Sequence, residues 1–135
     1  MVDIHHQIKV KASTDQVLSA LESVEGLRAW HGGEVTRDGA GWRFDMADGP
    51  TFRWAVQAAG SGQVIWHCEE GPGDAPGTRA EFTITPTDDG RTLVAFAHRG
   101  WPDDGGNFRK CNTHWAVLLH HLRQHAETGV SAPAF

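Results

Sequence analysis

The sequence has 135 residues, of which 39% are hydrophobic and 21% are charged, and these values are ordinary for a single folded domain. Its formal net charge of −5 argues against a nucleic-acid-binding surface, which requires a basic stripe. The sequence contains no run of about 18 apolar residues, so we expect no membrane span.

The N-terminal stretch and the cysteines lead to an expectation about location. The stretch "MVDIHHQIKV" lacks the basic-then-apolar order of a signal peptide. Two cysteines, Cys68 and Cys111, are too few for a disulfide scaffold. We therefore expect one domain over residues 1–135, in the cytoplasm, with both thiols reduced.

The chain begins with one strand and two short helices. Residues 3–11 alternate between apolar and polar side chains, which predicts a half-buried strand. Ser13 and Gln16 stand at the capping-box positions of a first helix, "ASTDQVLSAL". A second short helix, "SVEGLRAW", turns Trp30 inward, and the stretch "HGG" ends it.

The region 33–101 is predicted to form strand after strand. The turn signals "RDGAG", "ADGP", "AAGSG", "EEGPGDAPG" and "TDDG" separate segments in which apolar and polar residues alternate. Evenly spaced short strands are typical of an antiparallel meander. The inward positions are Trp42, Phe44 and Met46; Phe52, Trp54 and Val56; Val64, Trp66 and Cys68; Ala80, Phe82 and Ile84; and Val94, Phe96 and His98.

A long helix over about residues 107–128, ended by Gly129, completes the pattern. We expect the tail, residues 129–135, to be loose. A run of strands with a helix at one end predicts an α+β domain. The sheet of about six to seven antiparallel strands has one apolar face, and the last helix is the only element large enough to cover it.

The local sequences resemble those of the START-like (SRPBCC) helix-grip superfamily. The stretches that carry the resemblance are "IKVKASTDQVLSAL", "GLRAW", "VIWHCEEG", "GTRAEFTITPTDDGRTLVAFAHRGW" and "HWAVLLHHLRQHAETG". Within the superfamily, which includes polyketide cyclases, the chain resembles the group related to the C-terminal domain of the activator of heat-shock-protein ATPase. The resemblance covers nearly the whole chain.

This resemblance implies a curved sheet that grips the long helix, with a cavity between them. Many members of the superfamily bind lipids, sterols, polyketides or aromatic metabolites there; some are cyclases or hydrolases, and some act on protein partners. After Trp30, where relatives often carry another aromatic residue, this chain has "HGG". The chain therefore departs from the family pattern near the expected mouth of the cavity.

The last helix contains four of the nine histidines. On a helical wheel, His114, His121 and His125 line one edge of the apolar stripe, and His120 faces water. The i,i+4 spacing of His121 and His125 would allow both to reach one metal ion, but solvated helix borders often carry such residues, and we expect no metal. Cys111 lies on the buried stripe, where a thiol packs as a small apolar group rather than as a nucleophile.

Two other histidines lie on apolar strand faces. His6 and His98 would enter the interior if those faces meet the helix, and a buried neutral imidazole needs a hydrogen-bond partner. Each could orient a ligand, act as a general base, or serve a structural role by bonding a backbone group. The sequence leaves these alternatives open.

The expected function is binding of a hydrophobic or aromatic small molecule between the sheet and the last helix, without a cofactor. Two alternatives stay open: a cyclase- or hydrolase-like enzyme that uses His98 or His6, and a chaperone-activator-like interaction module. The helix-edge histidines leave a homodimer open as well. The residues predicted to line the cavity are Trp54, Trp66, Phe82, Phe96, His98, Phe108, Trp115 and Leu119.

Overall fold

The computed structural model describes residues 1–60 and 62–135. Across this part of the chain, three helices and seven strands follow one another in the predicted order. The predicted turn "AAGSG" includes Ser61, which lies outside the described residues. The elements are β1 Val2–Val10, α1 Thr14–Glu22, α2 Val24–Trp30, β2 Glu34–Asp38, β3 Gly41–Asp45, β4 Thr51–Gly60, β5 Gln63–Glu70, β6 Arg79–Pro86, β7 Thr92–Trp101 and α3 Asn107–Thr128.

The strands form one curved antiparallel sheet in the order β1-β7-β6-β5-β4-β3-β2. Consecutive strands from β2 to β7 are neighbours, as expected of a meander, and β1 joins the sheet beside β7. The predicted α+β helix-grip fold is confirmed.

The predicted capping box of α1 is also present: Ser13 accepts from the amide of Gln16 at 3.2 Å, and the Gln16 side chain accepts from the amide of Ser13 at 2.8 Å.

The core lies between the concave face of the sheet and α3. Phe44, Trp66 and Phe82 on the sheet are fully buried, and Leu119 and Leu122 approach them from the helix. The polar face of α3 is exposed, so the helix buries one stripe, as its sequence predicts. Among the helices of residues 1–60 and 62–135, none combines the length and the apolar character that a bilayer crossing requires.

The C-terminal tail has defined contacts, in contrast to the loose end that we expected. The amides of Ala132 and Ala134 donate to the carbonyls of Ala29 at 2.9 Å and Trp30 at 3.0 Å. The physical reason is that the last carbonyls of a helix such as α2 have no partner within the helix. The tail supplies those partners, a pairing that local sequence cannot show.

Candidate functional site

A cavity of about 470 Å³ opens between α3, the turn that joins β3 to β4, the strand β4, the residues that follow α2 and the tail. Its wall is mainly apolar, and its polar side chains are those of His31, Asp48, His98, Asn107, Lys110 and His114. The lining residues are His31, Gly33, Met46, Ala47, Asp48, Gly49, Pro50, Phe52, Trp54, Pro72, His98, Asn107, Lys110, Cys111, His114, Trp115, Leu118 and Phe135.

Aromatic rings form much of this wall. Trp54 and Trp115 are 5% and 4% exposed, and their ring centroids lie 6.5 Å apart. Phe52 stacks on Trp54 at 5.9 Å with an angle of 6° between the rings. Register explains this arrangement, because Phe52 and Trp54 pair with Phe44 and Trp42 of β3 on the inner face. The wall therefore offers flat apolar surfaces to a ligand.

Three of the eight predicted lining residues, Trp54, His98 and Trp115, line the cavity. The other five are not among its lining residues. They occupy the closed part of the fold, where sheet and helix pack directly: Phe82 contacts Phe96 at a ring distance of 5.0 Å. Phe108 packs edge-on against Trp101 at 6.1 Å. The five residues are Trp66, Phe82, Phe96, Phe108 and Leu119.

His98 is fully buried and held through both ring nitrogens. The indole N–H of Trp115 donates to Nδ1 of His98 at 2.9 Å. Since an indole nitrogen is only a donor, Nδ1 carries the lone pair and Nε2 carries the proton. Nε2 then donates to the hydroxyl of Thr78 at 2.7 Å, and that hydroxyl donates to the carbonyl of Ala75 at 2.6 Å.

This chain of hydrogen bonds limits what His98 can do. Burial lowers the pKa of His98 to about 3, so its imidazole is neutral near pH 7. Its only lone pair is already used by Trp115. The arrangement favours the structural alternative, in which His98 joins α3 to the sheet.

His6 lies at the border of the sheet rather than at the cavity. Its Nε2 is 3.2 Å from the carbonyl oxygen of Asn112, and its ring stacks beside Phe96 at 6.4 Å. It is partly exposed and is not among the lining residues. Its position is that of a residue that joins β1 to α3.

His31 is the cavity histidine that the sequence analysis missed. It is 7% exposed, and its ring stacks on Phe44 at 4.1 Å and meets the edge of Trp30 at 5.5 Å. Nδ1 lies 3.1 Å from the carbonyl oxygen of Gly32, which can only accept, so Nδ1 carries the proton. Burial lowers the pKa of His31 to about 4. Nε2 is therefore an acceptor, and it has no hydrogen-bond partner among the described residues.

One signal in the sequence pointed to this place. The stretch "HGG" was the visible departure from the family pattern, and the structure puts His31 and Gly33 in the cavity wall. Gly32 has a φ of 98°, and a Cβ on it would lie 2.0 Å from the carbonyl oxygen of Phe135. The glycine is thus required by the backbone and by the tail.

The mouth of the cavity carries polar and charged groups. Lys110 and His114 come from α3, and Asp48 comes from the turn between β3 and β4; all three side chains are exposed. Within the described part of the chain, neither Lys110 nor Asp48 forms an ion pair. The polar end of a ligand at the mouth could therefore contact the positive charge of Lys110 or the negative charge of Asp48.

The helix-edge histidines contact the tail. Nδ1 of His121 lies 2.6 Å from the carbonyl oxygen of Ala132, and Nδ1 of His125 lies 2.9 Å from that of Val130. The ring of His114 meets the ring of Phe135 edge-on at 5.1 Å. Over residues 1–60 and 62–135, no three His, Cys, Asp or Glu side chains gather as a metal site would require.

Both cysteines are free and buried, and Cys111 lines the cavity. Burial raises the pKa of Cys111 to about 11. The pKa of Cys68 is raised to about 12, and burial is the largest of the causes. Both groups are therefore thiols near pH 7, not thiolates, and the nucleophile alternative for Cys111 is disfavoured.

Solved structures share this architecture. The solution structure of the Aha1 dimer from Colwellia psychrerythraea has a TM-score of 0.82 and 29% identity, over 96% of this chain and 98% of that chain. DynU16, from the dynemicin biosynthetic locus, has a TM-score of 0.75 and 20% identity, over 96% of this chain and 48% of that chain. XoxI from Bacillus cereus has a TM-score of 0.74 and 14% identity, over 92% of this chain and 94% of that chain.

No protein-family model matches the chain, and no curated protein matches it either. The structural similarity nevertheless defines the fold class: this is a START-like (SRPBCC) helix-grip fold. Within that class, the chain has the Aha1-like form of the fold, as the resemblance of its local sequences implied. Fold similarity of this kind does not assign an activity.

Proposed function

We propose that this protein binds a hydrophobic or aromatic small molecule in the cavity between the sheet and α3. The observation that carries the proposal is the apolar cavity of about 470 Å³. Pockets of roughly 300–1,000 Å³ with apolar walls and a few placed polar groups are typical of small-molecule sites. The proposal keeps the cytoplasmic location that we expected from the sequence, and two cysteines that form no disulfide support it.

Binding would come mainly from burial of apolar surface. Each Å² of apolar area removed from water contributes about 25 cal/mol, less the entropy lost when two molecules associate. Trp54 and Trp115 are held by packing and, for Trp115, by the bond to His98, so little ordering is left for the ligand to induce. A preformed wall of this kind favours binding without a large rearrangement.

The cavity fits a non-catalytic ligand-binding protein better than an enzyme. A general base should have a pKa near the working pH and a free lone pair. His98 has its lone pair engaged by Trp115, and the pKa of His31 is lowered to about 4. We therefore do not extend the proposal to the cyclase- or hydrolase-like reaction.

The test combines extraction with a fluorescent probe. The purified protein would be denatured and its extract searched for a stoichiometric small molecule by mass spectrometry. The native protein would be titrated with 1-anilinonaphthalene-8-sulfonate while tryptophan quenching is followed. We expect saturable quenching that is lost in Cys111→Phe, which fills the cavity, and kept in Ala116→Phe, on the exposed face of the same helix.

The two variants separate the outcomes. Absence of both an extract and saturable quenching in the native protein would contradict the proposal. Equal quenching in both variants would show that the probe binds outside the cavity. Circular dichroism of each variant would establish that the fold is kept before binding is compared.

A second candidate is a protein-interaction module, which includes pairing with a second copy. The observation that favours it is the similarity to a structure described as an Aha1 dimer. The large apolar side chains that are exposed, Met1, Val2, Val117, Val130 and Phe135, lie at the chain ends and on α3. Sedimentation velocity at increasing concentration would show a dimer if this candidate is correct. A constant monomer, with no stimulation of a chaperone ATPase, would contradict it.

A further inference from the structure

His31 lines the cavity, and one of its ring nitrogens, Nε2, has no hydrogen-bond partner among the described residues. Its Nδ1–H is committed to the carbonyl of Gly32, and its ring is fixed between Phe44 and Trp30. A 180° flip of the ring to offer Nδ1 instead would keep the stack on Phe44 but would break the Gly32 bond. The lone pair on Nε2 is therefore a fixed feature of a largely buried ring. A ligand that covers this nitrogen without offering a donor would leave it unpaired, which costs free energy.

We propose that the ligand carries a neutral hydrogen-bond donor, a hydroxyl on an aromatic body, and that this hydroxyl donates to Nε2 of His31. The inference rests on the proposed function and narrows its ligand class. The rings of Trp54 and Trp115 would contact the aromatic body. Phenols and hydroxylated aromatic compounds have this combination of a flat apolar surface and one donor.

The other polar end groups fit less well. A carboxylate has only acceptor atoms, so it would face the lone pair of His31 without a proton between them. An ammonium group could donate, but the lining residues offer it no buried acidic side chain: Asp48, the only Asp or Glu among them, is exposed at the mouth. Burying an unpaired charge costs far more than burying a hydroxyl that is hydrogen-bonded.

The test compares two probes that differ at one oxygen, which carries a hydrogen in the first and a methyl group in the second. 1-Naphthol and 1-methoxynaphthalene would be titrated into protein labelled with ¹⁵N in histidine and tryptophan, and the indole signal of Trp115 would give both dissociation constants. We expect 1-naphthol to bind about tenfold more tightly, as one hydrogen bond to an acceptor that the bound ligand shields from water provides. The ¹⁵N resonance of His31 Nε2 should move upfield with 1-naphthol only.

Two variants give the control. In His31→Phe the preference for 1-naphthol should fall to within about twofold, since a phenyl ring keeps the stack on Phe44 but offers no acceptor. In His120→Phe, on the exposed side of α3, the tenfold preference should remain. Should His31→Phe not fold, the Nε2 resonance of the unsubstituted protein decides the matter by itself.

The remaining outcomes distinguish the two proposals. Equal binding of both probes, with no change at His31 Nε2, would overturn this inference but would not contradict the proposed binding of small molecules in the cavity. Binding of neither probe, together with an extract that contains no small molecule, would overturn both the proposed small-molecule binding and this inference.

Discussion

The indole N–H of Trp115 donates to Nδ1 of His98 over 2.9 Å and so joins α3 to the last strand of the sheet. The same two rings line the cavity, so the bond fixes part of its wall. A hydrogen bond between two buried side chains holds a surface that would otherwise depend on packing alone. Stability and ligand binding are therefore linked at this pair.

Removal of the donor should destabilise the protein. In Trp115→Phe, Nδ1 of His98 loses its partner while it stays buried, which costs about 1–3 kcal/mol in addition to the lost ring volume. Urea unfolding followed by circular dichroism measures the change. The matched control is Trp101→Phe, because Trp101 is 1% exposed and its Nε1 has no partner among the described residues. An equal loss in both variants would show that the bond contributes nothing.

Stability should fall when the pH drops from about 7 to about 5. The pKa values of His31 and His98 are lowered by burial to about 4 and about 3, against about 6.5 in the unfolded chain. Below pH 6.5 the unfolded chain binds protons that the folded chain excludes, so stability is complete above that pH and decreases below it. Each histidine contributes a slope of up to about 1.4 kcal/mol per pH unit.

Urea unfolding at several pH values would measure this slope. An NMR titration gives the site-specific check, in which the ring signals of His31 and His98 should stay constant between pH 7.5 and 5. A midpoint near 6.5 for either ring would contradict the buried, neutral assignment.

The tail should detach in Gly32→Ala. A Cβ at this position would lie 2.0 Å from the carbonyl oxygen of Phe135, and the φ of 98° is strained for alanine. Hydrogen exchange at the amides of Ala132 and Ala134, which donate to α2, reports the detachment. The control is Gly39→Ala, where φ is also positive, at 59°, and a Cβ meets nothing within 4 Å. Equal exchange in both variants would indicate that strain alone acts.

Cys111 and Cys68 should react slowly with Ellman's reagent. Their pKa values are raised by burial to about 11 and about 12, so little thiolate exists at pH 8. We expect labelling to become fast only in denaturing urea, and a bound cavity ligand to slow the native reaction of Cys111 further. Rapid labelling of the native protein at both sites would contradict this account.

The regular elements were predictable because their signals are local. Alternation and turn residues predicted the strands, and Ser13 with Gln16 predicted the start of α1. The sequence did not predict which residues on the inner face of the sheet line the cavity and which pack in the closed core. Trp54 and Trp66 occupy equivalent alternating positions, yet only Trp54 lines the cavity, because Trp66 is fully buried among rings of other strands, Phe44 and Phe82.

The place of His31 in the cavity wall and the contacts of the tail were not predicted, for a related reason. The low pKa of His31 arises mainly from burial in an environment that includes Phe44, which belongs to another element. The tail is held by carbonyls of α2 about a hundred positions earlier in the chain. Contacts of such sequence separation leave no periodic pattern behind.

The most direct test of the central claim is to locate a bound probe by isotope-filtered NOE spectroscopy. Unlabelled 1-naphthol would be added to ¹³C,¹⁵N-labelled protein. The account predicts NOEs from the naphthol ring to the side chains of Trp54, Trp115 and Leu118, which line the cavity. NOEs confined to the exposed apolar residues Val117 and Val130, or no NOEs at saturating probe, would contradict it.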